Sequence, residues 1–232
     1  MLKVGAQDMG KIIKYVLLII VLVMVVGIAL VFLPKQVSVA YTEADLQSYL
    51  AKSGTIIREN SASLEDIIFG NYESIGVNVV DDSITSEEAT AIINEVANEK
   101  SLLTDVRIKF VGKDKVSASA KIDADMSKVY EIFPAIKPFE SVINTVVGRT
   151  LYIEATLVQG QGNSFEAMLT SVSVGTLPIP IDQANEYGTE LGSFMNNLIG
   201  NIPGFEMDTF YIDETGLHFK GTIPAEIQSR VE

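Results

Sequence analysis

The fold class follows from residues 151–174, which form the stretch LYIEATLVQGQGNSFEAMLTSVSV. Apolar and polar residues alternate on both sides of a Gly-Gln-Gly-Asn turn at 160–163. A period of two around a glycine-containing turn predicts an antiparallel hairpin. Beyond Thr170 the apolar phase slips by one residue, to Val172 and Val174. The slip predicts a bulge that bends the second strand, because otherwise the apolar set would change face.

Two further hairpins flank this one. Residues 106–122 alternate around Gly112-Lys113-Asp114, and residues 205–223 alternate around the turn at 213–216. Hairpins in succession indicate a mainly antiparallel sheet.

Helical segments lie between the strands. Thr42 and Asp45 are placed to begin a helix that Gly54 ends, and Thr85 with Glu88 forms the capping box of a second one. The acidic pair before the second helix, at residues 81–82, is typical of a loop whose charge favours the helix N-terminus.

Two longer helical stretches differ in how their apolar residues are distributed. Residues 126–147 are strongly apolar and are broken by Pro134 and Pro138, which predicts two short helices or a kinked one. Residues 180–199 have one apolar face, on which Gly188 and Gly192 follow Ala184 at steps of four. Each glycine costs about 1 kcal/mol of helix propensity against alanine, so we expect a neighbour to approach the backbone along this ridge. That neighbour is either a strand or a lipid chain.

These elements predict an α+β protein with a curved, mainly antiparallel sheet and amphipathic helices packed on one face. The N-terminus predicts one addition, a transmembrane helix. From Tyr15 to Pro34 the chain is uncharged for 20 residues, YVLLIIVLVMVVGIALVFLP. At about 1.5 Å per residue this run spans roughly 30 Å, the thickness of the hydrocarbon core of a bilayer.

The charges around the apolar run predict its orientation. Lys3, Lys11 and Lys14 precede it against a single Asp8, which favours a cytoplasmic N-terminus. We therefore expect a cytoplasmic tail at 1–11, a single-pass transmembrane helix at 12–34, a tether at 35–41 and an extracytoplasmic domain at 42–232 at the cell membrane. The alternative is a cleaved signal peptide with a small-x-small site at 38–40. Its apolar region would be too long, since signal peptides carry about 7 to 15 apolar residues.

Composition excludes some partners of the outer domain. The chain has a net charge of −13 and the first 34 residues are net basic, so the domain is strongly acidic and should not bind nucleic acid. We expect its partners to be the membrane and either a lipid ligand or a membrane-protein partner. The absence of cysteine suits a bacterial envelope better than a disulfide-rich animal exterior.

No residue cluster carries the signature of catalysis or of a metal site. The single histidine, His218, lies on the polar phase of a strand and is expected to be solvated. Asp123 and Asp125 are spaced like the start of a calcium loop, but Pro134 stands where the loop needs a glutamate. We therefore predict no catalytic residue, no metal and no cofactor; whether the protein is an enzyme stays open, with a non-enzyme favoured.

The C-terminal half also resembles a known family. The shared features are a strand exit of the type S-V-G-x-L-P-x-P at 173–180, an early T-x-x-D-L helix at 42–46 and a last strand pair that closes on a glycine. In these features and in its N-terminal anchor the chain is similar to the YpmS-like family, uncharacterised membrane-anchored proteins of Gram-positive bacteria. The likeness covers roughly residues 150–223, the anchor and the first helix. It implies a membrane location and a curved sheet-and-helix fold, and it brings no catalytic residues.

The first functional hypothesis is a non-catalytic membrane-anchored module that binds lipid or another apolar ligand between the sheet and the two longer helical stretches. The hypothesis is based on the bent strand, the glycine ridge and the apolar segment broken by proline. An equally weighted alternative is that these surfaces simply form a packed core. The predicted ligand-binding residues are Val129, Phe133, Ile136, Phe139, Ile143, Ala184, Tyr187, Gly188, Leu191, Gly192 and Met195.

Two other functions remain open at this stage. One is an envelope scaffold or regulatory protein that acts through protein contacts. The other is a carboxylate-dependent envelope hydrolase, for which nothing in the sequence selects the two carboxylates.

Overall fold

A computed structural model of the chain describes residues 35–58, 60–62, 66–67, 70–97, 103–122 and 148–230. The chain divides into two units, Met1–Pro34 and Lys35–Glu232, and all described residues belong to the second. The predicted transmembrane helix and the segment 126–147 lie outside the described residues. Within the described part, no helix is both long and apolar enough to cross a bilayer.

The described residues form an α+β domain, as predicted. Its three longer helices are α1 (Glu43–Ser53), α2 (Ser86–Val96) and α3 (Ile181–Gly200). Its strands are β1 (Tyr72–Ile84), β2 (Leu103–Gly112), β3 (Lys115–Ile122), β4 (Thr150–Gln159), β5 (Phe165–Val174), β6 (Leu177–Pro178), β7 (Glu206–Ile212) and β8 (Leu217–Ser229). Every strand pair is antiparallel.

The strands form two sheets, whereas we expected one curved sheet. One sheet has the order β1-β8-β7 and the other the order β2-β3-β4-β5-β6. The difference arises from β1, which the sequence did not predict. This strand pairs with almost the whole of β8, from Tyr72 opposite Ser229 to Ile84 opposite Leu217. The acidic pair at 81–82, interpreted as a loop, lies within β1.

All three predicted hairpins are confirmed. The turn between β2 and β3 places Lys113 and Asp114 at φ values of 54° and 60°, as a two-residue turn matched to strand twist requires. The predicted bulge is confirmed as well. Glu154 pairs with Ser171 and the next residue, Ala155, pairs with Leu169, so Thr170 is the extra residue in β5.

The predicted helix caps are also present. The Asp45 carboxylate accepts hydrogen bonds of 2.7 Å from both the backbone N–H and the hydroxyl of Thr42, and the left-handed Gly54 (φ 66°) ends α1. At α2 the Thr85 N–H donates to Glu88 at 2.9 Å, and the Glu88 N–H donates to the Thr85 hydroxyl at 3.2 Å. Each cap contributes about 1 kcal/mol to the stability of its helix.

Side-chain amides join the two sheets. The Gln159 amide accepts from the Phe210 N–H at 3.0 Å and donates to the Asp208 carbonyl at 3.1 Å. The Asn163 amide accepts from the Met207 N–H at 2.9 Å and donates to the Phe205 carbonyl at 3.0 Å. The tip of the β4–β5 hairpin therefore pairs with the outer edge of β7 through carboxamides, which supply the same donor and acceptor pair as a backbone peptide.

The segment Lys35–Tyr41, expected to be a tether, lies across the polar face of the five-stranded sheet; we call it the N-terminal strap. Val37 and Val39 are buried and cluster with Tyr152 of β4. The Val37 N–H donates to the Ser119 hydroxyl of β3 at 3.0 Å, and Arg107 of β2 donates to the Val39 carbonyl at 2.7 Å. The strap is thus part of the domain from its first residues.

A candidate apolar binding pocket

An apolar pocket lies between α1 and the inner face of the β1-β8-β7 sheet. It reaches the first residue of β5 and the end of α3. Ten of its fourteen lining residues are aliphatic, phenylalanine or methionine side chains, and the other four, Tyr49, Lys52, Ser53 and Asp82, carry polar groups. The lining residues are Tyr49, Lys52, Ser53, Val80, Asp82, Ile84, Phe165, Ile199, Phe205, Met207, Phe210, Leu217, Phe219 and Ile223.

Strand register explains why these side chains converge. Val80, Asp82 and Ile84 alternate along β1, so all three point to one face of the sheet. On β8, Phe219 lies opposite Asp82 and therefore shares that face. Gly221 lies opposite Val80, and a Cβ there would be 3.0 Å from the Phe219 ring, so the missing side chain lets this ring lie close to the strand.

A bulge in β7 adds two more walls. Met207 pairs with Gly221 and Thr209 pairs with Lys220, so Asp208 is an extra residue in the strand. The extra residue shifts the alternation, and Met207 and Phe210 both face the pocket as a result. Without the bulge, a residue three positions further along the strand would face the opposite side.

Aromatic rings form much of the wall. The Phe205 and Phe219 ring centroids are 5.8 Å apart, and those of Phe165 and Phe210 are 6.2 Å apart. Both separations are within the range of favourable aromatic pairs. The rings therefore pack against one another in the pocket wall.

The volume of the pocket is about 230 Å³. A 150 Å³ apolar cavity is large enough to hold benzene, and pockets for drug-sized ligands begin near 300 Å³. By proportion, there is space for about nine carbon atoms. The pocket therefore suits a short alkyl chain or one end of a longer chain.

A buried ion pair borders the pocket. Lys52 lies 2.8 Å from Glu88, whose side chain is only 4 % exposed. Glu88 also accepts from the Ser48 hydroxyl at 2.5 Å, and Lys52 donates to the Ser83 carbonyl at 2.8 Å. Burial opposes ionisation of Glu88, but the hydrogen bonds from Lys52, Ser48 and Thr85 outweigh it and lower its pKa. The pair fixes α1 against α2 and the end of β1.

Tyr49 is the other polar group of consequence in the wall. Burial raises the pKa of its hydroxyl and outweighs the opposite effect of side-chain hydrogen bonds with Ser53 and Thr55, so this group stays protonated at neutral pH. Ser53 is also buried, and its hydroxyl accepts from the Thr55 N–H at 3.1 Å.

Of the predicted ligand-binding residues, only Ala184 and Gly192 are fully described. Five of them, Val129, Phe133, Ile136, Phe139 and Ile143, are outside the described residues. Tyr187, Gly188, Leu191 and Met195 lie in α3, where only their backbone is described. Ala184 is buried in α3, and neither it nor Gly192 lines the pocket.

At Gly192 the described residues leave open space, because an added Cβ would meet no atom within 4 Å. The close neighbour that we expected along the glycine ridge is therefore not seen at this position. The pocket itself was missed because one of its walls is β1, the strand that was not predicted.

His218, the single histidine of the chain, is the other residue for which a catalytic role can be tested. It is stacked on Tyr211 with ring centroids 4.4 Å apart and is therefore half-buried, not fully solvated as predicted. Asp213 and Thr215 contact the same ring nitrogen, Nε2, at 2.9 Å and 3.1 Å. A catalytic triad needs the acid and the nucleophile on opposite ring nitrogens. This arrangement is therefore the closure of a tight turn and not a proton relay.

No protein-family model matches the chain, and neither a curated protein nor a solved structure matches it.

Proposed function

We propose that this chain is a membrane-anchored, extracytoplasmic binding module that holds one alkyl chain of a lipid or a related amphiphile. The observation that carries the proposal is the apolar pocket, which is preformed, walled by paired aromatic rings and sized for about nine carbons. The resemblance to YpmS-like proteins is consistent with such a protein and remains a prediction.

The anchor is the second part of the proposal. Residues 12–34 form a transmembrane helix, residues 1–11 stay in the cytoplasm and the α+β domain lies on the outer side. The uncharged run from Tyr15 to Pro34 and the lysines before it support this topology. Mass spectrometry of the membrane-bound protein is expected to detect peptides from residues 1–34. A mature N-terminus at Tyr41 would contradict the anchor.

Binding fits the pocket better than catalysis does. A hydroxyl nucleophile needs an adjacent base, and the chain's only histidine does not line the pocket. The Lys52 ammonium is held by Glu88, and the Tyr49 hydroxyl keeps its proton. The polar groups of the wall are therefore suited to orient a ligand and not to attack one.

The absence of tryptophan allows a direct test of binding. A Phe205→Trp variant places the chain's only indole in the pocket wall, and a Tyr211→Trp variant places one on the opposite face of the same sheet as a matched control. The full chain is reconstituted in nanodiscs, and 8-bromooctan-1-ol is added as a quencher of tryptophan fluorescence.

We expect saturable quenching of the indole at position 205 and only weak, linear quenching at position 211. Equal quenching at the two positions would mean that the alcohol reaches both indoles from the solvent or the bilayer. That result, or no quenching at position 205, would overturn the proposed function.

One observation favours a second function, an envelope scaffold that acts through protein contacts. Ile75, Val77 and Val79 alternate along β1 and are 41 %, 55 % and 84 % exposed. Among the described strands β1 is at the edge of its sheet. An edge strand with exposed apolar side chains is suited to pair with an extended segment of another protein.

A photo-crosslinking residue at Val79 tests this alternative in intact membranes. Crosslinks to one specific protein would establish the scaffold, whereas crosslinks to lipid alone would exclude it. A crosslinker at Glu87, on the acidic first turn of α2, is the control for nonspecific capture.

A further inference from the structure

We infer that the pocket selects its ligand by head group: it accepts a head group that donates hydrogen bonds, such as a hydroxyl, and rejects carboxylates and other anions. The inference rests on the proposed function, because it assumes that an alkyl chain occupies the pocket. It assigns the selection to Asp82.

The position of Asp82 defines the mouth of the pocket. It lies on the inner face of β1 between Val80 and Ile84, so its side chain points toward the cavity. Val80 is buried, whereas Asp82 is exposed. A residue that lines the cavity and is also exposed marks the place where the cavity opens to solvent, and the head group of a bound amphiphile must lie there.

Lys52 also lies at this end, but its charge is already compensated. Its Nζ contacts both Glu88 carboxylate oxygens, at 2.8 Å and 2.9 Å, and donates to the Ser83 carbonyl. An ammonium has three donors. The two Glu88 oxygens and the Ser83 carbonyl are three acceptors within 2.9 Å, so the ammonium is not a free countercharge for a ligand.

Asp82 differs in this respect. Its Oδ1 accepts from the Ser83 N–H at 2.7 Å, and within the described residues no lysine, arginine or histidine forms a salt bridge with it. The mouth therefore carries one uncompensated negative charge.

The consequence for a ligand follows from this charge. A carboxylate or phosphate at the mouth faces the Asp82 charge at short range and is repelled by it. A hydroxyl can instead donate a hydrogen bond to Asp82. The geometry thus favours a neutral hydroxyl head over an anionic head on the same chain.

The test uses the Phe205→Trp full chain in nanodiscs and two quenchers of equal chain length, 8-bromooctan-1-ol and 8-bromooctanoate, at pH 7.5. Binding of both quenchers is measured on the Phe205→Trp chain, called the parent, and on the same chain with the additional substitution Asp82→Asn. Asparagine keeps the size of the side chain and its hydrogen bond to Ser83 but removes the charge. Nanodiscs without protein correct for partitioning of the quenchers into the bilayer.

We expect the alcohol to bind the parent at least tenfold more tightly than the carboxylate, and Asp82→Asn to reduce this ratio to about threefold or less. Equal affinities in the parent would overturn the head-group inference and leave the proposed function standing. A tenfold preference that survives Asp82→Asn would overturn the role of Asp82. Failure of both ligands to quench would overturn the proposed function and the inference together.

Discussion

Glu88 and Lys52 form an ion pair whose two members differ in burial: their side chains are 4 % and 26 % exposed, respectively. The burial difference makes the pair asymmetric. Loss of Lys52 leaves a buried carboxylate without its countercharge, whereas loss of the Glu88 charge leaves an ammonium that can turn toward solvent. Substitution of Lys52 should therefore cost the domain more stability than substitution of Glu88.

We predict that Lys52→Met lowers the free energy of unfolding by about 3 kcal/mol and that Glu88→Gln lowers it by only about 1 kcal/mol. Glutamine keeps the shape of the side chain and the hydrogen bond from Thr85, which limits its cost. Urea unfolding of the full chain in nanodiscs, followed by far-UV circular dichroism, measures both values. Equal costs would contradict the asymmetry.

The pair also predicts a dependence of stability on pH. The folded-state pKa of Glu88 lies below its ordinary value of 4.5, so its stabilisation is present above that value and is lost as the pH falls through the folded pKa. Asp213, whose pKa is lowered to about 2 by hydrogen bonds from Thr215, acts in the same direction at lower pH. We expect the urea midpoint to fall between pH 5 and pH 3, and to fall less steeply in Glu88→Gln. Parallel curves would exclude Glu88 as a contributor.

Gly221 is predicted to be intolerant of any side chain. A Cβ at this position would lie 2.0 Å from the Glu206 carbonyl oxygen, which belongs to the paired strand β7. Gly221→Ala should lower the free energy of unfolding by about 3 kcal/mol, because backbone must move to relieve the contact. Gly162→Ala is the matched control: its φ of 63° is left-handed but its Cβ would meet open space, so it should cost about 1 kcal/mol. Equal costs would show that backbone conformation, not the close contact, sets the penalty.

Gly192 gives the opposite prediction. It lies in the interior of α3 and an added Cβ meets no described atom within 4 Å. Gly192→Ala should therefore raise the free energy of unfolding by about 1 kcal/mol through helix propensity alone. A loss of stability would show that a neighbour packs against the glycine ridge after all. Thermal unfolding of both proteins in the same nanodiscs provides the comparison.

The N-terminal strap makes a prediction for hydrogen exchange. The Val37 amide donates to the Ser119 hydroxyl, and we expect Ser119→Ala to speed exchange of that amide by at least tenfold. Ser117→Ala, two residues away on the same face of β3, should leave it unchanged. Rapid exchange of Val37 in the parent protein would show that the strap is not held on the sheet in solution.

The parts of the fold that the sequence predicted are those in which the residue pattern is regular along a whole element. Apolar and polar residues alternate along β4 and β5, so both their hairpin and the bulge at Thr170 were visible as a change of phase. Strand β1 does not show such a pattern. Its outward face carries Val77 and Val79, and its inward face includes Asp82, so apolar and polar residues occur on the wrong sides for a simple pattern.

The pocket was not predictable for a related reason. Its walls come from three strands, the start of a fourth and two helices, and their convergence depends on the bulge at Asp208 and on the absence of a side chain at Gly221. Neither leaves a periodic signal in the sequence. The hydrogen bonds from the Gln159 and Asn163 side chains to β7 were not predictable either, because a glutamine or asparagine near a turn usually forms hydrogen bonds within the turn itself.

The strap has a mechanical consequence. From Lys35 to Tyr41 it crosses the five-stranded sheet from β5 to β2, with successive contacts at Ser171, Ser119 and Arg107. A pulling force on the chain at Lys35 would meet these contacts one after another, and each would have to detach before the load reached α1. The strap would therefore detach from the sheet in several small steps at low force, while the sheet beneath it stayed folded.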